Sequence, residues 1–263
     1  MLIIQPSGGL CNRMRVINSA WELAKKRGER MIVLWYLCPE LNCPFEALFL
    51  PVKEIRIINI RSLKDPRKLF YQLTARQRFG NDDILKHKTD GVLHEDFLES
   101  LKTSVYLFTW EHFYPSHDYH FYKPVAPLQE RIDRMTASFG KRCVGVHIRR
   151  TDNTISMGKS TTEQFVALMK QELLHHPETC FFLATDDSRE EAVLRKTFPG
   201  RIVSNELRVA DRNSVEGMHD ALIDLYCLAA TKKLIGSYWS SFTDIAADMR
   251  GIEKVIAGEA DSR

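Results

Sequence analysis

The segment Cys143-Val144-Gly145-Val146-His147-Ile148-Arg149-Arg150-Thr151-Asp152 joins an apolar run to two arginines and an aspartate. Adjacent guanidiniums keep their charge at any accessible pH and repel each other, so an anion is expected between them. A diphosphate leaving group has the right charge and reach. A surface ion-pair cluster around Asp152 is the plainer alternative. Two more polar clusters follow apolar runs: Thr185-Asp186-Asp187 after residues 180–184, and Ser237-Tyr238-Trp239-Ser240-Ser241 after residues 233–236. Arg150 is placed to fork onto phosphate oxygens, and Ser240 and Ser241 offer hydroxyls and backbone N–H groups at a helix start. Such an assembly holds a diphosphate without a metal. Asp152 can orient an arginine or accept a sugar hydroxyl, while Asp186 or Asp187 can take a ribose or base N–H. Taken singly, Asp186-Asp187 and Ser240-Ser241 read equally well as helix caps. Their joint placement favours a ligand. Asp224, among mostly apolar helical neighbours, needs a core base or reaches into the site.

These clusters need a frame that brings them together. Strand patterns at residues 143–148, 180–184, 201–203, 233–236 and 254–257 alternate with helical patterns at 161–175, 188–198, 214–231 and 242–249. Capping-box spacing, Ser160 to Glu163 and Ser188 to Glu191, marks two helix starts. Repeated β-α-β predicts a parallel doubly wound sheet, with ligands at the carboxyl ends of its strands. The chain also opens on a βαβ unit. A strand at residues 2–4 leads through Ser7-Gly8-Gly9-Leu10-Cys11-Asn12 into a helix with Met14, Ile17, Trp21 and Ala24 on one face, stopping at Gly28 before a strand at 31–36. Parallel pairing of the two strands follows. The glycine turn is a weak ligand signal, being neither a Walker loop nor GxGxxG, and a tight turn explains it as well.

Residues 37–123 are less regular, with a strand-like 55–58, a basic stretch over 56–88 and ambiguous helices. The aromatic and histidine-rich segment 110–122 suits an acceptor cleft, but rings this dense more often fill a domain interface. Pro124 and Pro127 mark a boundary before a helix over 128–139. Two domains are expected, 1–135 and 136–263.

The bulk properties narrow the function classes. With 263 residues, 44% hydrophobic content and a formal charge of +3, the chain is globular and too mildly basic to argue for nucleic acid. No stretch suggests a signal peptide or a membrane span. Six cysteines without a CxxC pair suit reduced core thiols in a cytoplasmic protein. There is no GxSxG, no HExxH and no paired Cys/His metal spacing.

The same residues resemble the fucosyltransferase superfamily that includes the rhizobial nodulation and animal core α1,6-fucosyltransferases and, more distantly, the α1,2- and protein O-fucosyltransferases. His147-Ile148-Arg149-Arg150-Thr151-Asp152 is similar to that family's HxRRxD motif. Ala184-Thr185-Asp186-Asp187 is similar to its guanosine-contacting block, and Asp224 with Gly236 through Phe242 to its last donor-binding block. Gly8-Gly9-Leu10-Cys11-Asn12 is similar to its N-terminal turn.

The resemblance implies two Rossmann-like α/β domains in a GT-B-like arrangement, with the acceptor on the N-terminal side and the donor on the C-terminal side. It also implies an inverting, metal-independent transfer of fucose from GDP-fucose to a glycan hydroxyl. Arg149, Arg150 and Asp152 are the expected catalytic residues. His147, Asp186, Asp187, Asp224, Ser240, Ser241, Gly9 and Asn12 are the expected donor-binding residues. No metal or cofactor is expected beyond the donor itself. Core α1,6 enzymes follow the aspartate with a lysine and place an acid four residues beyond it, whereas this chain has Asn153 and Met157 there. The linkage and the base therefore stay open, with Glu111, Asp118 and Glu163 as candidate bases. Three rival readings are transfer of another nucleotide-activated sugar, nucleotide-sugar binding without turnover, and polyanion binding through residues 56–88.

Overall fold

The computed structural model describes residues 1–150, 154–205, 209, 211 and 213–259. The chain divides into two compact units, residues 1–125 with 211–218, and residues 126–210 with 219–263. The division falls between Pro124 and Pro127.

The first unit runs β1 (Leu2–Pro6), α1 (Leu10–Arg27), β2 (Met31–Tyr36), α2 (Phe45–Leu48), β3 (Ile55–Ile60), α3 (Pro66–Thr74), β4 (Gln77–Phe79), α4 (Asn81–Lys86), β5 (Lys88–Thr89), β6 (Val92–Leu93), α5 (Glu95–Ser100) and β7 (Val105–Thr109). Its main sheet has the order β3-β2-β1-β7-β4, and every pairing in it is parallel. The opening βαβ unit forms as the pattern predicts. Gly28 caps α1 with a left-handed φ of 61°, and Lys25, Lys26 and Arg27 complete the last turn, where cations oppose the helix dipole. β7 lies beside β1 in mid-sheet but carries no clear sequence signal, because a five-residue buried strand has no period to display. The aromatic segment packs inside this unit: Phe113, Phe121 and Tyr122 are buried, and the Tyr122 hydroxyl donates to Met14 O at 3.0 Å.

The second unit runs α6 (Ala126–Ala137), β8 (Cys143–Ile148), α7 (Thr154–Lys159), α8 (Thr162–His175), β9 (Cys180–Thr185), α9 (Ser188–Thr197), β10 (Ile202–Ser204), α10 (Val215–Ala229), β11 (Lys233–Gly236), α11 (Ser241–Asp248) and β12 (Glu253–Ile256). The sheet order is β10-β9-β8-β11-β12, again all parallel. The chain builds outward from β8 to β10, then returns to β11 on the other side of β8. That reversal is the switch point at which parallel sheets open a crevice for ligands. Val144, Val146, Ile148, Phe165, Phe181 and Leu183 form the core beneath it.

Both predicted helix caps move by one residue, and only α8 keeps a capping box. Thr161 caps α8, with the Gln164 side chain returning to its N–H, while Ser160 is buried and bonded elsewhere. Asp187 caps α9 by accepting from Arg189 N–H at 2.8 Å, which leaves Ser188 as the first helical residue. The stronger acceptor wins the cap in the second case.

That cap has a pH signature. The Arg189 N–H bond outweighs slight burial and holds the Asp187 carboxyl below its usual range. A depressed folded pKa stabilises the protein above the unfolded carboxylate value and is lost as pH falls through the folded one. Asp187→Ala is expected to cost about 1 kcal/mol at neutral pH and progressively less below about pH 4, with Asp187→Asn nearly neutral, by thermal denaturation across pH.

All six cysteines are free. Among the described residues, no helix is long and apolar enough to cross a membrane.

Candidate functional site

The site begins where β8 and β11 end side by side, with His147 paired to Gly236. The fully buried Ser237 hydroxyl donates to His147 O at 3.1 Å and accepts from Arg149 N–H at 3.0 Å. On the other flank, Asp186 at the end of β9 accepts from Arg150 N–H at 2.7 Å. The backbone amides of both arginines are thus held by side chains from neighbouring strand ends. Arg149 and Arg150, the first two residues past β8, are held by protein groups alone, which is what an electrostatic site requires.

Arg150 has a committed guanidinium. Its Nε donates to Glu190 Oε1 at 2.6 Å, and Nη1 donates to Ser160 O at 2.9 Å. Nη2 lies 3.4 Å from Thr162 Oγ1, and Thr162 itself donates to Glu190 at 2.8 Å. The guanidinium carbon lies over the Phe165 ring, 5.8 Å from its centroid. The two charged side chains are 9% and 12% exposed, so this is a largely buried ion pair that ties β8 to the starts of α8 and α9. Arg149, one residue earlier, is half-buried.

His147 is buried, shares a 2.8 Å hydrogen bond between Nδ1 and Thr243 Oγ1, and stacks on the Phe242 ring at 4.8 Å. It therefore anchors β8 to the first turn of α11. Ser240 is the buried N-cap residue of that helix, and Ser241 is its first residue. Their backbone N–H groups stand at the positive end of the helix, a favourable place for phosphate oxygens. Trp239, just before them, holds a left-handed φ of 53° and is 72% exposed. Ser160 reinforces the same loop, accepting from Tyr238 N–H at 2.8 Å and donating to Ala257 O at 2.6 Å.

Asp224 is buried on α10, and Asp187 carries the α9 cap. Asp152, with Asn153, lies outside the described residues; Met157 is exposed. Four further residues complete this network: Ser160, which the sequence suggests only as a helix cap, Ser237 from the polar cluster after β11, and Glu190 and Thr243, which carry no individual signal. Ser237 was readable as the first residue past a strand, but Glu190 looks like any acid in a helix's first turn.

In the first unit, the N-terminal turn is built around Gly8, whose φ of 78° suits glycine. A Cβ there would stand 2.9 Å from Asn12 Nδ2. Gly9 caps α1, and Asn12 Oδ1 accepts from Arg15 at 2.7 Å. Arg13 is buried below, bonded to Gly8 O, Tyr36 O and the Cys38 sulfur. Two of the candidate bases have side-chain partners here. Glu111 pairs with Lys88, and Asp118 lies 2.6 Å from His120 Nδ1. Burial raises the Asp118 pKa, but the His120 hydrogen bonds outweigh it and leave the carboxyl below its usual range. Glu163 is exposed at the start of α8. Among the described residues, no group of three His, Cys, Asp or Glu side chains is arranged to hold a metal ion.

No family model and no curated protein sequence matches the chain. Solved structures do. The α-1,6-fucosyltransferase NodZ soaked with GDP-fucose superposes with a TM-score of 0.66 at 20% identity, covering 94% of this chain and 92% of that one. NodZ from Bradyrhizobium gives 0.65 at 21% identity, over 93% and 92% of the two chains. POFUT1 in complex with GDP-fucose gives 0.61 at 12% identity, over 98% of each chain. These matches establish a shared α/β fold along nearly the whole length.

Proposed function

We propose that the chain transfers fucose from GDP-fucose to a glycan hydroxyl, and that the second unit holds the donor. The observation that carries this reading is the double-arginine loop fixed between Ser237 and Asp186, beside the start of α11, at the sheet's switch point. The fold it sits in is shared with NodZ soaked with GDP-fucose and with POFUT1 in complex with GDP-fucose. The predicted step is inverting displacement at the anomeric carbon through an oxocarbenium-like state. The bond from C1 to the diphosphate oxygen breaks with its electron pair leaving on GDP, and the acceptor oxygen bonds to C1 from the opposite face as its proton passes to a carboxylate base or to solvent water.

The roles divide by geometry. Arg150 is engaged by Glu190 and Ser160, so its effect is to set the loop and add positive potential. Arg149 is the residue assigned to the diphosphate, with the N–H groups at Ser240 and Ser241 as further donors. Fixed cations of this kind stabilise the charge growing on a leaving diphosphate, the role a divalent ion plays in other transferases. Asp186, Asp187 and Asp224 remain the candidates for ribose and base contacts, and Gly9 and Asn12 for donor contacts from the first unit. The reduced thiols fit a cytoplasmic setting.

The test is release of the nucleoside diphosphate, GDP from GDP-fucose and GDP-mannose or UDP from UDP-sugars, with a glycan panel, with and without a chelator. Turnover confined to GDP-fucose and indifferent to the chelator is the expected result. Faster release from a UDP-sugar would move the chain to another donor, and donor binding without transfer to any glycan would make it a binding protein.

A further inference from the structure

α3 is built inside out. Its buried side chains are Lys68 and Tyr71, with Lys68 Nζ donating to Leu63 O and Gln72 Oε1. Pro66, Leu69, Phe70 and Leu73 recur at the i, i+3, i+4, i+7 spacing that normally faces a core. Here that face is open: Leu69 is 41% exposed, Phe70 60% and Leu73 73%, and Leu63 in the preceding loop is 53% exposed. Single exposed apolar residues need no explanation, but four on one short segment do.

The charge around them is as uneven. Residues 53–78 carry eight lysines and arginines against two acids, Glu54 and Asp65, a net +6 in a chain whose total is +3. Asp65 is occupied by Arg67. Arg56, Arg61, Lys64, Arg76 and Arg78 are all exposed and enter no ion pair among the described residues. Between α3 and the edge strand β3 lies a groove of about 260 Å³ lined by Arg56, Ile58, Pro66, Arg67, Phe70 and Tyr71. Cations therefore stand over an apolar and aromatic floor.

We propose that this face docks the protein on an anionic lipid bilayer, with Leu63, Leu69, Phe70 and Leu73 entering the interface and the surrounding arginines and lysines meeting lipid phosphates. Charge complementarity selects an anionic partner. The apolar ridge selects a bilayer over a soluble polyanion, because only an apolar phase rewards burying leucine and phenylalanine side chains. Each surface cation adds attraction that falls off within a Debye length, so the attachment is peripheral and salt-sensitive.

The test is co-sedimentation of the full chain with vesicles of phosphatidylcholine alone and of phosphatidylcholine mixed with phosphatidylglycerol. Pelleting with the mixed vesicles at low salt and its absence with the neutral ones are expected. Phe70→Ser/Leu73→Ser and, separately, Arg61→Glu/Lys64→Glu should each lower the partition coefficient at least about tenfold with unchanged thermal stability, since all four side chains are exposed. Three results would overturn the proposal: no pelleting with mixed vesicles, equal pelleting with neutral ones, or an apolar double variant that binds like the parent. The last, with charge reversal still abolishing binding and heparin competing, would mark a site for a soluble polyanion.

Discussion

Arg149→Ala is expected to lower kcat/KM for GDP-fucose by about 10²- to 10³-fold, the size of effect seen when one preorganised group facing developing charge is removed. Its guanidinium is assigned to the leaving diphosphate, so the loss should appear in kcat as well as in donor affinity. Stability should fall far less than activity, because the Arg149 backbone N–H to Ser237 is kept in the variant. Arg149→Lys retains a charge but loses the planar fork and should recover only part of the rate. Steady-state kinetics alongside a melting curve check both halves. An Arg149→Ala enzyme with full turnover would remove this residue from the diphosphate.

Glu190→Ala should do the opposite, striking stability first. It would strand the Arg150 cation in a site where that side chain is 9% exposed. Breaking one partner of a buried ion pair costs about 3 kcal/mol or more, and Thr162 loses its acceptor as well. The melting temperature should fall by roughly 6–12 °C. Activity at low temperature should fall less than in Arg149→Ala, and mainly through a raised KM for the donor, because the loop loosens while the diphosphate contact survives. Replacing both partners, as Arg150→Met/Glu190→Leu, should restore much of the melting temperature, since apolar groups of similar volume often substitute well for a buried pair. Donor KM should stay raised. Full recovery of KM would show that Arg150 contributes nothing to the site beyond packing.

These two residues also show where sequence reading succeeds and where it stops. The apolar run Cys143–Ile148 ending in Arg149 and Arg150 located the switch-point loop, because a buried parallel strand is a continuous apolar segment and its end is abrupt. The elements around it were legible for the same reason, from β9 through β12, with ends shifted by only a residue or two. What the sequence could not supply was the direction of a side chain. Arg150 reads in the sequence as the arginine that forks onto phosphate, and nothing there shows that Glu190, in the first turn of α9, engages its guanidinium. The first unit was harder because its signals are local and short: β7 has five residues, β4 has three, and α3 presents its apolar face outward. Periodicity left the helices there ambiguous and could not say which side of α3 was wet.

The measurement that tests the central claim most directly is a binding cycle by titration calorimetry, comparing GDP with GMP on the parent chain and on Arg149→Ala. If the double-arginine loop reads the diphosphate, GDP should bind the parent at least about tenfold more tightly than GMP, a difference of about 1.4 kcal/mol, and the preference should largely disappear in the variant. Equal binding of GDP and GMP by the parent, or a GDP preference that survives in Arg149→Ala, would contradict the account.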